Sequence, residues 1–210
     1  MVLSTPGMPK TKKIGLHTKS TLTLSDEDFL EWFRGLVDGE GSFSIVPSKN
    51  NKNFRFSFNI YLHKDDSNML KYIAQRLKIG KVFVGDHFTY FTVYKQSELK
   101  IIFNIFDKYP LNTSKNLNYI MWKEGYELYK VYRGTSATAD PNKILDEILN
   151  LKNQMNKKRV SFKQPEGHCI KITPYWLMGF VEGEGFFSVR LTSNSLVFGG
   201  WTNNPWSRCA

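Results

Sequence analysis

The 210-residue chain has few of the features that mark secreted, membrane or zinc-binding proteins. Its two cysteines, Cys169 and Cys209, are too few for a disulfide framework and indicate a reducing compartment. Its longest apolar stretch, around 175–181, is interrupted by Gly179 and falls far short of the ~20 residues that cross a bilayer, so we expect no membrane partner. Its four histidines show no spacing typical of metal ligands. The sequence therefore predicts neither a disulfide scaffold, nor a membrane span, nor a histidine-based metal centre.

Acidic residues are scarce relative to basic ones. The chain has 29 Lys and Arg against 19 Asp and Glu, a net charge of +10, and this surplus favours nucleic acid as a partner over a merely basic soluble protein. Hydrophobic residues make up 41% and aromatic residues 15%, enough to bury a core, which excludes disorder of the whole chain. Residues 1–24 contain lysines but no acid. We expect a flexible basic arm there, with a transit peptide or the remnant of an upstream reading frame as alternatives.

A duplicated segment organises the chain. Residues 32–45 align with residues 176–189, 144 positions later, and eight of the 14 aligned pairs are identical. In each copy, apolar residues recur at helical spacing and then alternate with other residues, which predicts a helix followed by a strand. Ser25 and Thr173 are the predicted N-caps of the two helices.

The remaining pattern predicts an α+β fold with a four-stranded antiparallel sheet. The predicted strands are 42–48, 53–63, 81–84 and 89–94, and the further predicted helices are 66–78, 96–107, 114–131 and 141–157. The domain assignment is a first unit at 25–132, a linker with a helix at 133–172, a partial second repeat at 173–197 and an irregular tail at 198–210.

Each repeat helix ends in acidic residues, Asp38 and Glu40 in the first copy and Glu182 and Glu184 in the second. A carboxylate there faces the negative end of the helix dipole, at a cost of about 0.3–1 kcal/mol. The same unfavourable choice at repeat-related positions indicates a role in chemistry. Local hydrogen bonding or capping is a sufficient explanation for Asp38 and Glu182, and we prefer a functional role for Glu40 and Glu184.

Glycines four residues apart place a small face on each repeat helix. These glycines are Gly35, Gly39, Gly179 and Gly183. Such faces let two helices cross at close contact, which would place Glu40 and Glu184 side by side. Two close carboxylates repel unless they are protonated or bridged by cations. Oxygen ligands of this kind suit Mg²⁺, and such a centre is a candidate for phosphodiester hydrolysis.

Two stretches, 33–41 and 177–185, resemble the LAGLIDADG motif, and the chain resembles an intron-encoded homing endonuclease of that family. The resemblance extends to residues 57–64, 77–82 and 106–115 and covers about 25–192. It implies two pseudo-symmetric αββαββα halves that form a saddle over double-stranded DNA. It also implies cleavage of both DNA strands by metal-assisted hydrolysis, and a mitochondrial location.

The resemblance assigns roles to individual residues. Glu40 and Glu184, the last acids of the motifs, are implied to bind the divalent metal, and Gly39 and Gly183 to lend backbone carbonyls. Lys115 matches the position of the family's active-site lysine, which stabilises charge or polarises water. A phosphate contact or an ordinary surface lysine is the alternative interpretation of Lys115.

Strand alternation directs one face of the sheet away from the core, and this face is polar and aromatic. Such a surface suits a reader of the DNA major groove, whereas a solvated face would carry more Asp and Glu. The predicted DNA-contacting residues are Ser42, Ser44, Val46, Ser48, Arg55, Ser57, Asn59, Tyr61, Lys81, Phe83, Tyr90, Thr92 and Tyr94, with Lys49 and Lys52 of the intervening turn as phosphate contacts.

The second repeat departs from the family pattern, because only residues 185–210 follow Glu184 and the stretch from Val197 shows no strand alternation. We expect a truncated second half, with half of the base-reading surface missing and cleavage weakened. Self-association through the second repeat would restore a two-fold saddle. The alternative functions are an RNA-binding maturase acting on its host intron RNA, and a non-catalytic DNA-binding relic. The two intact glutamates favour the nuclease.

Overall fold

The computed structural model describes residues 24–134, 140–157, 159, 161–192 and 195–200. The α-helices are α1 (Asp26–Glu40), α2 (Ser67–Leu77), α3 (Gln96–Lys108), α4 (Lys115–Gly134), α5 (Pro141–Gln154) and α6 (Pro174–Glu184). The strands are β1 (Gly41–Pro47), β2 (Phe54–His63), β3 (Lys81–Val84), β4 (Phe88–Val93), β5 (Phe187–Thr192) and β6 (Ser195–Gly200). A short 3-10 helix, Lys64–Asp66, leads into α2. None of the helices in these ranges is long and apolar enough to cross a membrane.

Strands β1 to β4 form one antiparallel sheet in the order β1-β2-β4-β3, which confirms the predicted α+β fold. Alternation along β1 and β2 buries one side chain in two beneath the helices. Phe43 and Phe58 lie opposite each other in the register, with ring centroids 5.4 Å apart. Trp122 of α4 packs 5.1 Å from Phe43, so the core lies between the sheet and the helices.

The two repeat helices begin where their capping residues predict. The Ser25 hydroxyl accepts a hydrogen bond from the amide of Asp28, and the Thr173 hydroxyl accepts one from the amide of Trp176. α1 leads directly into β1, the first strand of the sheet. α6 packs against α1 at Gly35, whereas Phe33 of α1 packs against Phe58 of the sheet, so α1 lies between α6 and the sheet.

The linker helix α5 is shorter than predicted, ending at Gln154 instead of residue 157. Its end is set by tertiary hydrogen bonds. Asn156 has a left-handed φ of 55°, its amide N–H donates to the Asn118 side chain, and its own side chain donates to the carbonyl of Phe43. The linker is thereby attached to α4 and to the edge strand β1.

The region after Val197 also differs from the prediction. β6 extends to Gly200 and pairs antiparallel with β5, with Gly199 and Gly200 opposite Ser188 and Phe187. Strand alternation reports which side chains a sheet buries, whereas the pairing itself uses backbone groups that glycine also carries. Residues 1–23 of the expected arm and residues 201–210 of the expected tail lie outside the described residues.

Candidate active site

α1 and α6 cross at backbone contact. A Cβ atom on Gly35 would overlap the carbonyl oxygen of Trp176, and a Cβ on Gly179 would overlap the carbonyl oxygen of Trp32. Both glycines are buried. The two repeats therefore meet in a two-fold-like crossing that tolerates no side chain at either position.

The C-terminal ends of the crossed helices place two carboxylates next to each other. A Cβ on Gly39 would lie 3.1 Å from the Cγ of Glu184, and a Cβ on Gly183 would lie 3.2 Å from the Cγ of Glu40. Burial raises the pKa of the Glu40 carboxyl above its usual range, and the adjacent charge of Glu184 raises that pKa further. This end of the helix pair thus concentrates negative charge that a cation would relieve.

Lys115 is the first residue of α4 and brings a cation to this point. Its ammonium group donates to the carbonyl oxygen of Gly39. Burial lowers the pKa of Lys115, and the nearby charges of Glu40, Glu184 and Asp38 act in the opposite direction. The structure therefore brings Lys115 to the two glutamates, although 75 positions separate it from Glu40 and 69 from Glu184 in the sequence.

Asp38 and Glu182 make hydrogen bonds across the crossing instead of the local ones that the sequence predicted. The indole N–H of Trp32 donates to Glu182 at 2.7 Å, and the indole N–H of Trp176 donates to Asp38 at 2.8 Å. Neither tryptophan is among the residues that the sequence predicts for the site. The available signal was their position, since each occupies the same place in its repeat, six residues before its own acid.

The outer face of the sheet forms an open groove of about 690 Å³. It is lined by Ser44, Val46, Arg55, Ser57, Asn59, Tyr61, Phe83, Tyr90, Thr92 and Tyr94, all among the predicted DNA-contacting residues. Of the predicted residues outside this lining, Lys49, Lys52 and Lys81 are exposed at the turn and on the edge strand. Ser48 accepts a hydrogen bond from the Asn53 amide within the turn.

Side chains on this outer face of the sheet, in the groove and at its rim, lie in two rows set by the strand register. One row is polar and runs Ser42, Asn59, Thr92 and Lys81 across the four strands, with the Thr92 hydroxyl donating to Asn59 at 2.7 Å. The other row is aromatic and runs Tyr61, Tyr90 and Phe83, with ring centroids 5.4 and 4.9 Å apart. The groove therefore offers both hydrogen-bonding groups and ring faces.

Comparison with known proteins identifies this architecture. Residues 33–126 match the sequence profile of LAGLIDADG endonucleases. The fold superposes on the LAGLIDADG homing endonuclease I-GzeII, solved in complex with its DNA target, with a TM-score of 0.69. The match covers 80% of the chain at 27% sequence identity. The chain is similar to the LAGLIDADG endonucleases in both sequence and fold.

Relatives of this chain include mitochondrial and intron-encoded proteins of fungi. It is 32% identical over 179 residues to the uncharacterized mitochondrial protein RF1 of Saccharomyces cerevisiae. It is 29% identical over 191 residues to the "Probable intron-encoded endonuclease Cox1-I1b" of Schizosaccharomyces pombe. These matches cover 83% and 87% of this chain but 35% and 47% of the two relatives, and the structural match covers 64% of I-GzeII. The chain thus spans a third to a half of these curated relatives.

The acids of the two LAGLIDADG motifs fit a hydrated divalent cation. Within the described ranges, no three His, Cys, Asp or Glu side chains cluster closely enough to hold a metal ion. Glu40 and Glu184 would therefore need further oxygen ligands, which the carbonyls of Gly39 and Gly183, water and a substrate phosphate can supply. The Gly39 carbonyl accepts from Lys115, yet a carbonyl oxygen has two lone pairs and can bind a second partner.

Proposed function

We propose that this chain is a DNA endonuclease of the intron-homing type, which hydrolyses both strands of a duplex bound in the groove of its sheet. The observation that carries the proposal is the crossing of α1 and α6, which brings Glu40, Glu184 and Lys115 together at one end of two repeat-related helices. The structural relatives solved on DNA targets support it.

The protein residues divide the chemistry among them. Glu40 and Glu184, with the carbonyls of Gly39 and Gly183, would hold Mg²⁺. When bound, the metal neutralises phosphate charge and makes water more acidic. The glutamates would fix the position of the metal at the ends of the crossed helices, and Lys115 can donate a hydrogen bond to a phosphate oxygen and stabilise the charge that develops there. Glu40 and Lys115 are partly buried, which strengthens their electrostatic interactions.

DNA recognition is assigned to the groove and its rim. The polar row of Ser42, Asn59, Thr92 and Lys81 can donate to and accept from base edges in the major groove. Arg55, which lines the groove, adds positive charge. The exposed turn lysines, Lys49 and Lys52, are suited to phosphates, which position the duplex without reading its sequence. A mitochondrial genome as the source of the chain fits its mitochondrial relative.

Self-association through the second repeat stays a prediction. Leu177 is 49% exposed and Phe187 is 83% exposed, whereas their repeat equivalents Phe33 and Phe43 are buried beneath the first sheet. Exposed apolar surface of this kind favours contact with another protein surface. Sedimentation over a range of concentrations tests it, and a chain that stays monomeric throughout contradicts it.

A cleavage assay with matched variants tests the proposed function. DNA spanning the host insertion site is incubated with Mg²⁺ and with wild type, Glu40→Gln or Glu27→Gln. Glu27 is exposed in the first turn of the same helix, away from the site, and serves as the control. We expect Glu40→Gln to lower the cleavage rate by at least about 100-fold and Glu27→Gln to leave it unchanged, since loss of even an outer-sphere partner of a metal site costs 10–100-fold.

Two results would redirect the assignment. Equal cleavage by wild type and Glu40→Gln would contradict the nuclease. Tight binding of host intron RNA, with splicing support that does not depend on Glu40, would favour the maturase instead.

A further inference from the structure

We infer that Asp38 is a positioning residue that couples docking of the second repeat helix to the placement of Lys115. The inference rests on the proposed function for its importance to catalysis. Its structural content rests on the hydrogen bonds around one buried carboxylate.

Asp38 is 3% exposed and collects donors from two other parts of the chain. The backbone amides of Asn112 and Thr113 each donate to it at 2.9 Å, the Thr113 hydroxyl donates at 2.7 Å, and the Trp176 indole donates at 2.8 Å. A buried carboxylate is stable only when its oxygens are satisfied in this way. Asp38 therefore joins the α3–α4 loop to α6 through α1.

The loop held by Asp38 leads directly to Lys115. The Lys115 amide donates to the Thr113 hydroxyl at 3.3 Å, and α4 begins at that residue. The Lys115 ammonium then reaches back to the carbonyl of Gly39, the neighbour of Asp38. The backbone before Lys115 and the tip of its side chain are thus fixed by adjacent residues of α1.

The segment that enters α6 is tied to the same loop. The side-chain amide of Asn112 donates to the carbonyl of Lys171 at 2.8 Å, and its carbonyl oxygen accepts from the Lys171 amide at 3.0 Å. Lys171 lies two residues before the N-cap Thr173. The α3–α4 loop is therefore linked to α6 at two points. One is the Trp176 indole, through Asp38, and the other is the Asn112 side chain, through Lys171.

The repeat-related bond between Trp32 and Glu182 supplies a matched control. It has the same donor, the same kind of acceptor and a similar length, and both indoles are buried. In the described part of the chain, however, the Glu182 side chain accepts only from Trp32, so it holds no loop. The two hydrogen bonds therefore differ in one respect: Asp38 also binds the α3–α4 loop, and Glu182 does not.

The test compares Trp176→Phe with Trp32→Phe by hydrogen exchange in the absence of DNA. Phenylalanine keeps an aromatic ring in place and removes the N–H donor. We expect exchange of the Asn112 and Thr113 amides to become about tenfold faster in Trp176→Phe and to stay unchanged in Trp32→Phe. Only Trp176→Phe removes a hydrogen bond from Asp38, the charged group that holds these two amides. Acetylation of Lys115, measured against the exposed Lys130, should rise in the same variant alone.

The outcomes separate this inference from the proposed function. Equal exchange at the two amides in both variants overturns the coupling, whatever the protein does to DNA. Selective loosening in Trp176→Phe supports it even if no DNA is cleaved, since neither readout needs a substrate. If Trp176→Phe does not fold, Asp38→Asn replaces it, with the same loosening of the loop expected and an unchanged loop contradicting the inference.

Discussion

Replacing Gly179 by alanine should undock α6 from α1. The added methyl group would overlap the carbonyl oxygen of Trp32 and crowd the amide nitrogen of Leu36, at 2.8 Å. Both are backbone atoms inside a helix, so neither can turn aside as the end of a flexible side chain would. The helices must separate, and separation stretches the two indole–carboxylate hydrogen bonds on either side of the crossing.

The size of the effect follows from these contacts. Overpacking typically costs about 1–3 kcal/mol, and each hydrogen bond lost from a carboxylate costs about 1.5–3 kcal/mol. The higher helix propensity of alanine offsets about 1 kcal/mol. Even if only one of the two hydrogen bonds is lost, the lower limits of these values reduce the free energy of docking α6 by about 1.5 kcal/mol, which is roughly tenfold in the docking equilibrium.

Native-state hydrogen exchange at the α6 amides measures this loss directly. Gly134→Ala is the control, because Gly134 also lies in a helix and a Cβ there meets nothing within 4 Å. We expect α6 to exchange at least tenfold faster in Gly179→Ala than in Gly134→Ala, while the α3 amides of the two variants agree. Similar α6 rates in the two variants would show that the crossing is not close-packed and would refute the reasoning.

Two further predictions concern the core and the groove. Glu31→Ala should lower the free energy of unfolding by about 3 kcal/mol in denaturant titrations, because it leaves the buried Arg34 guanidinium without its carboxylate 2.7 Å away. Glu127→Ala, which breaks an exposed pair, should cost less than about 1 kcal/mol, and equal losses would contradict the argument. Tyr90→Ala should weaken DNA binding by about tenfold at constant salt with little change in melting temperature, since the ring lies on the outer face of the sheet, where it stacks with Tyr61, Phe83 and Phe88. Unchanged affinity would exclude the aromatic row from the interface.

Local signals account for the parts of the fold that the sequence predicted well. Capping by Ser25 and Thr173, and alternation along Phe56, Phe58 and Ile60, depend on residues within a few positions of one another. Helix and strand limits therefore agree to within one to three residues. The proximity of Glu40 and Glu184 was also predictable. The duplication and the glycine spacing each indicate that the two repeat helices cross next to these acids.

The hydrogen-bond network behind the site was not predictable from these signals. Asp38 bonds to Asn112 and Trp176, which are 74 and 138 residues away, and nothing in their local sequence marks them as partners. The end of α5 was missed for the same reason, because Asn156 is turned by bonds to Phe43 and Asn118. Such contacts depend on tertiary packing, which periodicity does not report.

The enclosure of α1 has a consequence for how the two motifs can change over evolutionary time. Every side chain from Glu31 to Gly39 is buried, because the sheet lies on one side of the helix and α6 on the other. A bulkier residue cannot be relieved by moving the helix toward either neighbour, and a smaller one opens a void against one of them. α6, in contrast, exposes Leu177 and Met178. Substitutions are thus tolerated at some positions of the second motif and at almost none of the first.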